Sequence, residues 1–359
     1  GATRSTPANR RSNRDQHPAK PATRTVMGCY WNATSEGCAM KVVIPTPVLS
    51  VNYAKDPAAF GYSNATDSPE WAVGTTYAAG DRVIVDALQS TFESLVAGNI
   101  GHAPVLAPAT STFWVRVGSS NAWKPFDKVV SSPLIGYTAA SQQLDLMNFR
   151  LTSMGRFSTI CVLSTEAGKV RVAYSPDGGT TTTYDQTRTA VNTEPVIDLW
   201  TYFFEKLNQT RDFIFDDIDG YGATSAAQIT ITLDNASTGV AVTCGEIIVG
   251  PAFDIGDCHA GARLELNDYS RKERNEFGDL TLVERAYSYT GSFDIEIAKA
   301  FRNTVQSLMV DIRATPCVFY PSASDANDGL IVYGFEKTFA INYDTPERAY
   351  ASLVVEGLT

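Results

Sequence analysis

The stretch "VAVTCGEIIVG", residues 240–250, decides the fold class. It is a nearly continuous apolar run, β-branched at most positions, and it ends on a glycine. Such a run suits a strand at the centre of a sandwich, covered on both faces, rather than a half-solvated one. Around it the pattern is period two. "ITITL" (229–233) alternates isoleucine with threonine, and "KVRVAY" (169–174) alternates Val170, Val172 and Tyr174 with smaller or charged neighbours. "TEPVIDLWTYFFEKLNQTRDFIFDD" (193–217) is ambiguous, because Val196, Leu199, Phe203 and Leu207 also fit a helical face. Its density of β-branched and aromatic residues favours strands. Short strands separated by Gly and Asp turns predict a jelly-roll-like β-sandwich over 121–258 in a mainly β chain.

Composition permits this. The chain has 359 residues, 44% hydrophobic and 19% charged, enough for several domains with a sizeable core. Net charge is −10 and unevenly placed. In residues 1–40 six basic side chains (Arg4, Arg10, Arg11, Arg14, Lys20, Arg24) stand against Asp15 and Glu36. That arm is therefore +4 and the remainder −14. An acidic body repels nucleic acid, and no aromatic interleaves the basic arm before Tyr30, so no nucleic-acid partner is expected. The arm reads as a flexible or docking segment for an acidic neighbour. No apolar run of about twenty residues and no signal-like segment occurs, so no membrane insertion is expected. Cys29 and Cys38 are close enough in sequence to bridge a small loop, while Cys161, Cys244, Cys258 and Cys317 read as scattered core thiols.

The flanks add further elements. "KVVIPTPVLSVN" (41–52), punctuated by Pro45 and Pro47, reads as an edge strand or strap within 41–65. In 259–359, "RAYSYTGSFDIEI" (285–297) is a strand pattern. "AKAFRNTVQSLM" (298–309) then switches to helical spacing, with Ala298, Phe301, Val305 and Leu308 on one face. Strands return in "CVFYPS", "LIVYGFEKTFAINY" and "AYASLVVEGL", giving a C-terminal β-rich unit with one helix.

Catalytic signals are weak. The three histidines are His17, His102 and His259, and no nucleophile-elbow, zinc-helix or phosphate-loop motif occurs. "FDDIDGYG" (215–222) clusters Asp216, Asp217 and Asp219, but it lacks the ligand spacing and bidentate Glu of a calcium loop and reads as a solvated acidic turn. His259, in "GDCHAG", reads as a loop histidine. "SPDGGTTTTY" (175–184) resembles the Asp-box hairpin of sialidase-like propellers through Ser175, Asp177, Gly179 and Thr181, a device that shapes a turn. No catalytic residue, metal or cofactor is assigned.

The segment 66–120 carries the one binding signal. "WAVGTTYAAGDRVIV" (71–85), "STFESL" (90–95), "GNIGHAP" (98–104) and "FWVRVG" (113–118) resemble the small chitin-binding-type carbohydrate-binding modules of chitinases. The matching positions are Trp71, Tyr77, Gly80, Asp81, Val83, Phe92, Gly101, Pro104 and Trp114. The resemblance implies a small β-module whose rings receive the apolar face of a sugar, with Trp71, Tyr77 and Trp114 as the carbohydrate-binding candidates. Phe92 and Trp123 are further candidate rings. The competing reading makes Trp71, Tyr77 and Trp114 the module's own core. Phe92 and Trp114, in strand-like runs with apolar neighbours, are expected to be buried, while Trp71 and Tyr77 flank a turn and are the better platform candidates. One departure stands out: where those modules carry extra aromatics, this chain has Leu95 and Val96.

Taken from about residue 41 to 359, the chain resembles tail proteins of tailed bacteriophages. The resemblance rests on the "IPTP" strand, the module followed by "AWKPFD", and "RKERNEFGDLTLVERA", "ATPCVFYPS" and "LIVYGFEKTFAINYDTPERAYASLVVEGL". It implies a non-enzymatic structural protein of the virion, near the tail tip or baseplate. Its partners would be other tail proteins, copies of itself and host cell-surface polysaccharide. The rival readings are a tail-associated glycan-degrading enzyme and a secreted chitin-binding adhesin.

Overall fold

The computed structural model describes residues 38–53, 67–106, 111–135, 146–190, 200, 209–216, 218, 225–235, 240–259, 261–274, 279–321, 330–343 and 345–358. The protein is mainly β. Strand Glu246–Gly250 is buried along its whole length, because each of its faces meets another layer. It pairs with Thr159–Leu163, which pairs in turn with Phe213–Phe215, and these strands are buried throughout as well.

Alternation divides the two faces. Ile160, Val162, Phe213, Phe215, Ile247 and Val249 enter one cluster, and Cys161, Leu163, Ile214 and Ile248 enter another. The first cluster is the core of a sandwich. Its second sheet orders Leu146–Thr152, Gln228–Asp234, Lys169–Ser175 and Tyr184–Thr189. There Ile229, Ile231 and Leu233 point inward beside Phe149 and Val172, while Thr232 faces out and donates its hydroxyl to Asn148 at 2.7 Å. The apolar stretch 240–250 is not one strand. Thr243–Cys244 pairs with Leu134–Ile135, and the chain changes sheet at Gly245, where a Cβ would lie 2.8 Å from the Leu163 carbonyl oxygen.

The second cluster joins the sandwich to a barrel. A seven-stranded antiparallel sheet runs Ala252–Cys258, Cys38–Val43, Cys317–Pro321, Val332–Asn342, Arg348–Gly357, Tyr287–Ala298 and Arg263–Asp268. Six of these strands form a ring, since Asp257 and Cys258 also pair with Glu296 and Ile295. Met40, Val42, Ile255, Phe293, Phe319 and Leu353 fill its interior. Val43, Val318, Tyr320 and Tyr333 point outward onto the three-stranded sheet. The result is a sequence of layers: four-stranded sheet, three-stranded sheet, barrel.

This topology corrects several sequence-based expectations. Residues 41–43 belong to an interior strand of the closed barrel, not an edge, and Pro45 and Pro47 follow the strand's end. The boundary expected at 258 cuts across strand pairing, because Ala252–Cys258 belongs to the same sheet as Tyr287–Ala298. Trp200 is helical rather than extended, while the strand expected in that region is found at Phe213–Phe215; residues 191–199 and 201–208 lie outside the described residues. The helix spans Arg302–Ile312, and its buried face is Val305, Met309 and Ile312. Lys299–Phe301 forms a 3-10 turn that shifts the phase, so Phe301, expected on the buried face, is 61% exposed. Among the described residues no helix is long and apolar enough to cross a membrane. Cys161, Cys244, Cys258 and Cys317 are buried and unbridged, whereas Cys29 lies outside the described residues and the Cys29–Cys38 bridge with it.

Glu246 opens the central strand and is only 3% exposed. Its Oε2 accepts the Lys128 N–H at 3.0 Å, at a point where Lys128 holds φ 68°. Burial, reinforced by the neighbouring Asp127 carboxylate, pushes the Glu246 carboxyl from 4.5 up to about 9. The folded state therefore binds this proton more tightly than the unfolded chain, and stability falls as pH rises from 4.5 towards 9. We expect Glu246→Gln to remove this contribution. In urea unfolding the variant should gain on the wild type between about pH 5 and about pH 9. Parallel midpoints across that range would contradict the assignment.

Candidate functional site

The module is a three-stranded antiparallel sheet of Arg82–Val85, Ser90–Ser94 and Trp114–Ser119. Its entry is a tight turn. Gly80 has φ +90°, and the Asp81 carboxylate accepts the Ala78 N–H at 2.6 Å, which is the turn chemistry expected of a Gly-Asp pair. Tyr77 and Asn99 exchange backbone hydrogen bonds of 2.9 and 3.1 Å, tying the 98–104 loop to the turn. Asn99, itself 1% exposed, donates from Nδ2 to Ser94 Oγ and to the Phe113 carbonyl.

The module's core is Tyr77, Val83, Phe92 and Trp114, with Trp71, Val85, Leu88 and Phe113 packed on it. The Tyr77 and Trp114 rings meet edge to face at 5.2 Å. Trp114 Nε1 donates to the His102 carbonyl at 2.7 Å, and the Tyr77 hydroxyl accepts the Ala72 N–H at 2.8 Å. Every polar tip among these two rings is thus tied to backbone.

This placement corrects the sugar-platform assignment for two of three residues. Tyr77 is 6% and Trp114 2% exposed, so neither offers a ring face to a ligand. Phe92 is buried in the same cluster, and Trp123 lies in the sandwich core, edge to face with Tyr53 at 5.4 Å. The reason is size: a module of three short strands has few other large residues with which to build a core. Trp71 is half-buried at the rim, its backbone N–H bonded to the Ile84 carbonyl. Leu95 is 49% exposed, so the position where the resemblance calls for an aromatic is at the surface but carries an aliphatic side chain. A ring that does reach the surface is His102, stacked on Phe113 at 3.5 Å. Sequence inspection missed this pair because its members are eleven residues apart in the chain.

The remaining described candidate groups are held by contacts within the protein. Asp216 forms an ion pair with Lys41 at 3.0 Å; Asp217 and Asp219 lie outside the described residues. His259 follows the strand Ala252–Cys258, and its Nε2 is 3.1 Å from Glu296, which also pairs with Arg348. The "SPDGG" turn closes the hairpin between Lys169–Ser175 and Tyr184–Thr189. Asp177 Oδ1 accepts the Ser175 hydroxyl at 2.8 Å and the Thr181 N–H at 2.7 Å, and Ser175 Oγ accepts the Gly179 N–H at 2.8 Å. These bonds, those from Thr181 foremost, hold the Asp177 carboxyl down at about 2. Such a network makes a turn.

No protein-family model matches the chain, and no curated protein is significantly similar to it.

The burial of Trp114 generates a direct test. Trp114→Ala should cost about 3–5 kcal/mol and unfold the module selectively. Trp71→Ala, at the rim, should leave it folded. Amide exchange over 82–94 in the two variants measures the difference, and equal protection in both would overturn the distinction.

Proposed function

We propose that this chain is a non-enzymatic structural protein of a bacteriophage tail, near the tip or baseplate, that joins tail proteins and turns its small module towards host surface polysaccharide. The resemblance of residues 41–359 to such proteins motivates the reading. The observation that carries it is a β-ribbon leaving the barrel. Arg263–Asp268 pairs with Tyr287–Ser292, and beyond it Arg271–Arg274 pairs with Leu280–Val283. All eight residues of the outer pair are exposed, with Leu280 at 54%, Leu282 at 63% and Val283 at 45%. A lone two-stranded hairpin is marginal in water, and exposed leucines on one favour a covered, assembled state. Repeated copies around an axis would also raise the avidity of weak glycan contacts.

The rival enzymatic reading needs two carboxylates facing one another across a cleft. Asp216, its best described candidate, is instead paired with Lys41.

Mass spectrometry of purified particles tests the proposal. Peptides of this chain should co-purify with tails, and their absence from intact particles would reject it. The basic arm offers a second measurement. Because the first barrel strand begins at Cys38, the deletion that spares the body removes residues 1–37. We expect that truncation to weaken incorporation into tails without changing the melting of the body; unchanged incorporation would remove the arm from assembly.

A further inference from the structure

We propose that the cleft between the module and the 3-10 helix Asn121–Phe126 is a binding site for a neutral saccharide unit. The inference rests on the reading of the module as the glycan-contacting part, but places contact away from the aromatic positions that suggested it. The cleft has a volume of about 370 Å3, at the lower end of the roughly 300–1,000 Å3 common for small-ligand sites. It lies where two units meet, a usual place for such sites.

Its walls differ in chemistry. Leu88 and Leu106 from the module and Phe126 from the 3-10 helix supply apolar surface, and Trp123, 3% exposed, backs this wall without offering a ring face. Ser90, Arg116, Ser119 and Asp127 supply a polar wall. Arg116 Nε donates to Ser90 Oγ at 2.9 Å and Nη2 to Ser119 Oγ at 3.2 Å. The Asp127 carboxylate accepts the Val129 N–H at 2.9 Å, and against the cost of burial Ser119 and the Arg116 and Lys124 charges beside it favour its charged form. Arg116 is thus fixed to Ser90 and Ser119, with Asp127 on the same wall. A guanidinium carries five N–H donors, so Arg116 retains donors beyond these two bonds, and the carboxylate retains acceptor sites. Gln89 completes the rim from a left-handed backbone, φ 55°, a conformation unusual for a non-glycine residue and one that concentrates at ligand sites.

The ligand class follows from that wall. A free phosphate or carboxylate would meet Arg116 but also the Asp127 carboxylate beside it. A wholly apolar ligand would bury both charges without partners. A sugar ring presents hydroxyls that both donate and accept along its rim, and C–H groups on its faces. It satisfies the Arg116–Asp127 wall and the Leu88–Phe126 wall together. The balanced charge favours a neutral sugar.

The test titrates the full chain with triacetylchitotriose and with maltotriose, following tryptophan fluorescence and heat. We expect saturable binding of at least one probe. It should weaken by about tenfold or more in Arg116→Ala and in Asp127→Asn, and persist in Trp71→Ala. Inorganic phosphate should not compete. Arg116 is exposed, so Arg116→Ala decides the matter should Asp127→Asn fail to fold by circular dichroism. Binding unaffected by both cleft variants overturns the cleft but leaves the module as a glycan binder, as does binding lost only in Trp71→Ala. Displacement by phosphate overturns the ligand class. No saturable binding of either probe up to roughly 10 mM overturns the site, and leaves the tail reading to the particle analysis.

Discussion

Everything in this protein hangs on a small sheet that has no solvent face. The strands Thr159–Leu163, Phe213–Phe215 and Glu246–Gly250 lie between the sandwich core and the barrel wall, so their side chains are almost all apolar, with Thr159 and Glu246 the buried polar exceptions. The sheet edge is covered by the chain's first crossing. Thr46 donates its N–H to the Val249 carbonyl at 2.8 Å, and Ile44 to that of Pro251 at 3.2 Å. That crossing comes so close that a Cβ on Gly250 would lie 1.9 Å from the Ile44 carbonyl oxygen. Glycine is the residue that permits the approach. The same sheet carries Glu246, the buried carboxyl whose proton links stability to pH.

From this constraint the topology follows. The barrel needs Cys38–Val43 between Ala252–Cys258 and Cys317–Pro321, yet about 200 residues separate the first of these strands from the second. The sandwich and module are therefore an insertion inside the barrel's order. Loop-closure entropy grows slowly with length, so such an insertion is thermodynamically tolerable once the inserted part has its own core. It does have one, built from Phe149, Val172, Ile231 and their neighbours. The apolar contact of Val43, Val318, Tyr320 and Tyr333 with Cys161, Leu163, Ile214 and Ile248 then fixes insertion and barrel to each other.

This explains what was legible in the sequence and what was not. Period-two alternation in "ITITL" and "KVRVAY" is local, and it located strands whose inward residues are buried. The apolar run at 246–250 announced burial on both faces, but not that one of those faces meets a barrel. Ring closure depends on Asp257 pairing with Glu296, a contact between residues far apart in the chain, and no local pattern encodes it. The helical phase failed for a different reason. A 3-10 turn at Lys299–Phe301 advances about three residues per turn rather than 3.6, so a stripe extrapolated through it rotates away from the core. For the candidate rings, type and order were readable in the sequence, as was the burial of Phe92 and Trp114 from their apolar, strand-like surroundings, whereas the burial of Tyr77, which flanks a turn, was not.

The aromatic pattern of the module illustrates how a binding signature and a core signature coincide. Its central cluster has four fully buried residues, and three of them are Tyr77, Phe92 and Trp114. Large rings bury much area per residue, which is what a very small β-unit requires to hold together. A ring that supplies this area is withdrawn from solvent and cannot also stack on a sugar. Binding by such a module then needs additional rings beyond the core set, and at the surface this chain places Leu95 instead. The polar capacity left over lies elsewhere, where Arg116 on the last module strand faces the helix that leads into the sandwich. There Phe126 supplies apolar surface, held in place against Trp123 and the sandwich core. A ligand held at that junction would draw on the rigidity of the larger unit, which the module alone is too small to provide.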